Sequence, residues 1–192
     1  MANYRRLLAR AEEWYRGVQA AHPAEVPCAR GCRDCCLGLF DISLADADLL
    51  REGLAEAPEP VRRGIRSRAA DVMARLRARF PDLGATLEGR GEEEIDAICD
   101  ALGPVECPAL GPDGDCLLYG VRPLTCRLAG VPVVDRSGEV IHAEGCARCT
   151  LRPEAAPRLD YRALRDEEER LLRRRYGDRA WATLLIPQAL ET

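Results

Sequence analysis

Ten cysteines in 192 residues constrain this chain more than any other feature, because nine of them fall into three short groups. The nine are Cys28, Cys32, Cys35, Cys36, Cys107, Cys116, Cys126, Cys146 and Cys149. Spacings of two or three residues place two thiolates on one side of a tight turn, within the ~2.3 Å reach of one metal ion. Gly31 and Gly145 supply the backbone freedom that such turns require. The pattern predicts that all nine cysteines are metal ligands.

The start of the chain sets the expected redox compartment. It turns acidic at Glu12 and Glu13 before an apolar stretch can form, which argues against a signal peptide. No apolar run approaches the ~20 residues that cross a bilayer. We therefore expect a cytoplasmic protein without membrane contact. In a reducing cytoplasm, clustered cysteines indicate metal or redox chemistry and not a disulfide scaffold.

The number of cysteines bears on the kind of metal centre. One tetrahedral zinc or one [4Fe–4S] cluster takes four thiolates, so nine allow two centres, or one centre with spare thiols. All-thiolate ligation suits both zinc and iron–sulfur clusters. Cys35 and Cys36 are adjacent, and neighbouring side chains diverge in a helix or a strand, so both rarely bind one ion. The excess of cysteines over the four that one centre needs, together with the adjacent pair Cys35 and Cys36, favours an iron–sulfur cluster over zinc.

Two residues near this pattern carry a different expectation. Cys99 follows Ile95 and Ile98 on an apolar helical stripe, which predicts a core residue and not a ligand. His142 lies four residues before Cys146, so it is a candidate ligand, although a structural histidine is the favoured interpretation.

The basic residues are all arginine, which excludes a Schiff-base lysine and a P-loop lysine. The net charge of −4 gives no general attraction to nucleic acid. Arg127 follows Cys126 directly. It is expected either to donate hydrogen bonds to a thiolate or carbonyl at the site or to form a surface salt bridge.

Apolar periodicity predicts a mainly α protein with a small β-hairpin, around an irregular cysteine-cluster domain. Helices are predicted over about 4–21, 44–55, 58–80 and 92–102, and again from 159 onward. Ser43 with Asp46 is typical of an N-cap. Residues 131–134 and 139–142 are predicted to form the hairpin.

We expect a single domain over 1–192, with a metal-binding core at 28–149 and a helical extension at 150–192. The stretch 103–150 has few apolar residues in periodic order. Metal ligation, more than core burial, is therefore expected to fix its shape.

Taken together, the cysteines and their neighbours resemble the CxxxCxxCC family of zinc- or iron-chelating proteins, the YkgJ-type cysteine-cluster family. The matching residues are Cys28, Cys32, Cys35, Cys36, Cys107-Pro108, Cys116, Tyr119, Arg122-Pro123, Cys126-Arg127, Cys146 and Cys149. The resemblance implies iron or zinc chelation. The flagellin lysine methylase looks like a longer relative with the same cysteine module, but this chain shows no Gly-rich strand-to-helix loop for S-adenosylmethionine.

The favoured function is metal binding, with an iron–sulfur cluster preferred to zinc. One alternative is an iron–sulfur-dependent enzyme, either a redox protein or a modifier of protein side chains similar to a lysine N-methyltransferase. The other is a zinc-ribbon-like nucleic-acid module, which the acidic net charge disfavours. No catalytic residue is assigned, and a protein partner or substrate stays open.

Overall fold

A computed structural model describes residues 1–29 and 31–191, and these residues form a mainly helical fold with two small antiparallel sheets. The helices are α1 (Ala2–Ala21), α2 (Leu44–Glu56), α3 (Glu59–Arg79), α4 (Glu92–Asp100), α5 (Leu124–Leu128), α6 (Tyr161–Tyr176) and α7 (Ile186–Leu190). The strands are β1 (Asp41–Ser43), β2 (Val133–Val134), β3 (Val140–His142) and β4 (Thr183–Leu185). The predicted fold class is confirmed. No helix of the described residues combines the length and apolar character needed to cross a membrane.

The ends of α2 and α3 follow local sequence signals. Ser43 precedes α2, and its side-chain oxygen accepts a hydrogen bond from the Asp46 backbone N at 3.2 Å. This N-cap satisfies one of the donors that the first turn leaves unpaired. α3 carries Pro60 in its first turn, where no helical N–H is needed, and ends just before Phe80 and Pro81.

The predicted hairpin forms from β2 and β3, which are shorter than expected because a register shift interrupts the pairing. At the turn, the Asp135 carboxylate accepts a hydrogen bond from the Ser137 backbone N at 2.8 Å. Gly138 has a positive φ of 97°, which side chains rarely allow.

β1 pairs with β4, a contact across more than 140 residues that the sequence analysis does not predict. Ile42 stands opposite Leu184, and their exposed fractions are 3% and 1%. The Ile186 backbone N donates to the Phe40 carbonyl oxygen at 3.1 Å. The end of the predicted extension at 150–192 is therefore part of the core. Its three-residue strand is too short to show a period of two.

Two clusters of buried side chains flank the cysteine loops. The α2–α7 core consists of Ile42, Leu44, Ala47, Leu50, Leu54, Ile65, Ala69, Ala109, Leu118, Ala182, Leu184, Ile186, Ala189 and Leu190. The hairpin core consists of Val18, Val26, Val131, Val134, Leu151 and Ala156. Both cores include residues of the middle segment of the chain.

The middle segment, 103–150, buries more apolar surface than its sequence pattern suggests. Its buried apolar residues are Val105, Ala109, Leu110, Leu118, Leu124, Leu128, Val131, Val133 and Val134. These side chains enter separate cores and share no helical face, so they leave no period in the sequence. Burial therefore contributes to the shape of this segment, and the expectation that metal ligation contributes more stays a prediction.

Candidate metal centre

Eight cysteines from all three groups line one cavity of about 500 Å³, which we call the cysteine cavity. They are Cys28, Cys32, Cys35, Cys36, Cys107, Cys116, Cys126 and Cys146. Tyr15, Leu50, Arg122 and Ile186 are among the other residues of its wall. The structure therefore brings together cysteines that lie up to 118 residues apart in the sequence. All ten cysteines of the chain are free.

Cys149 is adjacent to this wall without being part of it. Its backbone N donates to the Cys146 carbonyl oxygen at 2.8 Å, which closes the turn of the third group. A Cβ at Gly145 would lie 2.8 Å from the Cys149 sulfur and 2.6 Å from the Gly130 carbonyl oxygen. Gly145 is not among the glycines with positive φ. Glycine is required here because a Cβ has no room, and not because of the backbone freedom that the sequence suggests.

Gly31 and Gly114 hold the first cysteine loop against the second. Their φ angles are 87° and 80°, in the region that favours glycine. A Cβ at Gly114 would lie 2.7 Å from the Gly31 carbonyl oxygen, so any side chain at residue 114 would separate the loops. The Cys32 backbone N donates to the Ala29 carbonyl oxygen at 3.0 Å and forms the turn beside this contact.

Cys35 and Cys36 both line the cavity, although adjacent side chains were expected to diverge. They belong to a short 3₁₀ helix, Asp34–Cys36, that runs along the cavity wall. A hydrogen bond with Cys36, together with burial, raises the pKa of the Cys35 thiol well above its usual value. The pair can thus serve the same region of the cavity.

The second cysteine group is the most buried. The Cys107 backbone N donates to the Cys36 carbonyl oxygen at 2.9 Å and joins this group to the first. Burial raises the pKa of Cys107 to about 11 and raises that of Cys126, on α5, well above its usual value. The thiolate forms that bind metal therefore need a positive partner in this cavity. A bound metal ion provides such a charge and deprotonates a coordinating thiol.

Arg122 is the cationic side chain among the described residues of the wall. Its guanidinium carbon lies 4.1 Å from the centre of the Tyr119 ring, and it donates to Glu12 Oε2 at 2.7 Å. Its Nε is buried and has no hydrogen-bond partner among the described residues. A fixed positive charge of this kind favours anionic thiolates nearby.

Arg127 holds the loop before α5. It is 7% exposed and donates to the carbonyl oxygens of Gly120 and Arg122, both at 3.1 Å. It also donates to Glu12 Oε2 at 2.9 Å. Burial opposes ionisation of Glu12, but the two arginines outweigh it and lower the pKa of this carboxyl. Of the two expected roles, carbonyl hydrogen bonding is the one observed, and the ion pair is buried.

Two residues missed in the sequence analysis support Cys28 from α1. The Tyr15 hydroxyl forms a hydrogen bond with the Cys28 thiol, and the Gln19 side chain donates to the Cys28 carbonyl oxygen. Tyr15 and Gln19 are four residues apart and so share one helix face. That polar pair, just before the first cysteine group, was the signal available in the sequence.

Cys99 and His142 do not reach the cysteine cavity. Cys99 packs beside Ile95 and Leu102 in a third core behind α4. Burial and the charge of Asp41 raise the pKa of its thiol to about 11. His142 is exposed and lines a different cavity, so the structure does not place it with Cys146.

That second cavity, of about 490 Å³, lies on the other side of α5 and shares Ala129 and Gly130 with the cysteine cavity. We call it the acidic cavity after its carboxylates Asp41, Asp46, Glu144, Asp166, Glu168 and Glu169. Tyr4 connects two of them, because its hydroxyl donates to Glu168 at 2.9 Å and lies 3.0 Å from the Ser43 hydroxyl, which donates to Asp46.

The cysteines are gathered but not in coordination geometry. Within 1–29 and 31–191, no group of three or more His, Cys, Asp or Glu side chains is arranged to hold a metal ion. Thiol groups turn about a single bond between three staggered positions, so side-chain rotation is one way in which these cysteines can approach one another. The donor chemistry fits an all-thiolate metal centre, and the cavity is far larger than one ion or one ~30 Å³ water.

No protein-family model, curated protein or solved structure matches the chain. The resemblance to the CxxxCxxCC family therefore stays a prediction from the cysteine motifs.

Proposed function

We propose that the protein binds iron, as an iron–sulfur cluster, through the thiolates of the cysteine cavity. The observation that carries the proposal is the convergence of eight cysteines from three separate groups on one cavity of about 500 Å³. Uncoordinated thiols gain little from such clustering, since burial raises the pKa of Cys107 and Cys126 and disfavours their reactive thiolate forms.

The wall of the cavity suits a charged cluster. Leu50, Ala109 and Ile186 supply an apolar boundary that limits water, and Arg122 supplies a positive charge. Hydrogen bonds, burial and net charge tune iron–sulfur centres. When bound, the cluster would supply electron transfer or a structural crosslink. The chain's own residues would hold it, partly exclude solvent and balance its charge.

Anaerobic purification, or reconstitution with ferrous iron and sulfide, tests this proposal. We expect brown protein with iron and acid-labile sulfide in equal amounts, and absorption from sulfur-to-iron charge transfer. Colourless protein with stoichiometric zinc would instead indicate closed structural zinc sites and no iron–sulfur cluster. Protein that takes up neither metal would refute metal binding altogether.

A further inference from the structure

We infer that the cysteine cavity, together with the adjacent Cys149, holds two separate metal centres and not one. The first centre would use Cys28, Cys32, Cys146 and Cys149, and the second Cys35, Cys107, Cys116 and Cys126. Cys36 would then be a spare thiol beside the second centre. This inference rests on the proposed function and assigns its ligands.

The two sets are supported by different cores. Cys28 and Cys149 pack against the hairpin core, beside Val18 and Val134. Cys107, Cys116 and Cys126 pack against the α2–α7 core. A single four-thiolate centre would draw its ligands to one point, whereas here these five cysteines are divided between two separate cores.

The backbone of the first set is anchored to α1 and to the segment before the hairpin. The Cys146 backbone N donates to the Gly130 carbonyl oxygen at 3.1 Å. The Thr150 backbone N, next to Cys149, donates to the Glu25 carbonyl oxygen at 2.9 Å. Together with the contacts of α1 to Cys28, these bonds hold the first and third cysteine groups side by side.

The backbone of the second set is anchored within the second group and to the 3₁₀ helix. Cys107 is bonded to the Cys36 carbonyl oxygen, as described above. Cys116 pairs with Leu110 in an isolated antiparallel bridge, and the Leu117 backbone N donates to the Ala109 carbonyl oxygen at 2.8 Å. The 3₁₀ helix that carries Cys35 and Cys36 is thereby tied to the second group, although it belongs to the first group in sequence.

The ligand count agrees with this division. One four-coordinate zinc or one cubane cluster takes four thiolates, and each set supplies four. A single centre would leave five of the nine grouped cysteines as free thiols.

Metal analysis of single variants tests the assignment. Cys32→Ser should remove the first centre and Cys116→Ser the second, each leaving about half of the wild-type iron and sulfide after anaerobic reconstitution. The double variant should bind neither. Cys99→Ser, which lies outside the cysteine cavity, is the matched control that should keep the full amount. Iron, zinc and sulfide are measured together, so the result applies to either metal.

Complete loss of metal from either single variant would show one shared centre and overturn the inference. Full retention in either would do the same, because a four-thiolate centre loses affinity with one ligand removed. If Cys32→Ser or Cys116→Ser does not fold, as judged by circular dichroism, Cys146→Ser and Cys126→Ser probe the same two sets. Wild-type protein without any metal would instead refute the proposed function, so the two failures are distinguishable.

Discussion

Asp46, in the first turn of α2, accepts a hydrogen bond at 3.2 Å from the backbone N of Leu124, the first residue of α5. This bond satisfies an otherwise unpaired donor at the start of the helix that carries Cys126. Asp46 is 3% exposed and also lines the acidic cavity. The Asp46 carboxylate therefore lines the acidic cavity and also holds the helix that carries Cys126 into the wall of the cysteine cavity.

The first prediction concerns the pH dependence of stability at Asp46. Burial, reinforced by the charge of Glu168, raises the pKa of this carboxyl from 3.8 to about 7. The folded state binds the Asp46 proton more tightly than the unfolded state does. Protonation of Asp46 therefore stabilises the fold fully below pH ~4, and this stabilisation is lost as the pH rises to ~7. The loss amounts to at most roughly 4 kcal/mol.

Urea unfolding at a series of pH values measures this effect. The stability difference between wild type and Asp46→Asn should fall across pH 4 to 7, since the variant lacks the titrating group. Glu168→Gln should move the fall to lower pH, because it removes the charge that helps to raise the pKa of Asp46. Parallel pH profiles for wild type and Asp46→Asn would contradict the prediction. Tyr4 and Ser43, which also bond this network, stay unchanged in both variants.

The second prediction concerns the buried ion pair of Arg127 with Glu12. Arg127→Met should lower the free energy of unfolding by about 1–3 kcal/mol, since Glu12 loses one of its two buried cationic partners while Arg122 stays bonded to it. Two carbonyl groups of the preceding loop also lose their donor. Arg16 provides a matched control, because it contacts the same Glu12 at 3.3 Å from a side chain that is 71% exposed.

Arg16→Met should cost less than about 1 kcal/mol, as exposed ion pairs do. Both variants are compared by chemical denaturation in the same buffer. Equal costs for the two would show that the burial of Arg127 does not determine its contribution.

The third prediction concerns the contact between Gly114 and Gly31. Alanine at a positive φ costs about 1–2 kcal/mol of backbone strain. Gly114→Ala should cost a further ~1–3 kcal/mol, because its Cβ would press on the Gly31 carbonyl oxygen. Gly138→Ala is the control, since Gly138 also has positive φ but no atom within 4 Å of a Cβ. If Gly114→Ala and Gly138→Ala lower the denaturation midpoint equally, the contact of residue 114 with Gly31 adds nothing to the cost of the substitution.

The fourth prediction separates Cys99 from the cysteines of the cavity. Cys99→Ala should retain the full metal content and cost only about 1 kcal/mol of packing. Cys32→Ser, Cys35→Ser and Cys126→Ser should each lower the metal bound per chain and increase the rate of proteolysis. Metal per chain is measured on variants purified identically without oxygen. Loss of metal from Cys99→Ala, or full retention in Cys32→Ser, would contradict this division.

Local signals predict most of the helices correctly, and long-range pairing accounts for what they miss. Ser43 and the prolines around α3 mark helix ends because their effects act within one turn. The pairing of β1 with β4 escapes notice, since β4 has too few residues to show alternation and the two strands lie far apart along the chain. The hairpin is found because its two strands flank a recognisable turn at Asp135–Gly138.

The candidate site also has one part that local patterns predict and another part that depends on long-range packing. The three cysteine groups are visible as spacings, and their gathering could be expected from the number of thiolates that a centre needs. The ion pair of Glu12 with Arg122 could not be expected, because it joins residues 110 positions apart through the packing of α1. Nor does any local pattern place Ile186 in the cavity wall.

The position of Ile186 gives the cavity an order of assembly. Ile186 follows Cys149 by 37 residues, so all nine grouped cysteines are synthesised before the side chain that completes the wall. At the usual ~5–20 residues per second of synthesis, the delay is on the order of 2 to 7 s. In a nascent chain the cysteine thiols are therefore accessible to metal donors and to oxidants before α7 packs against the cavity.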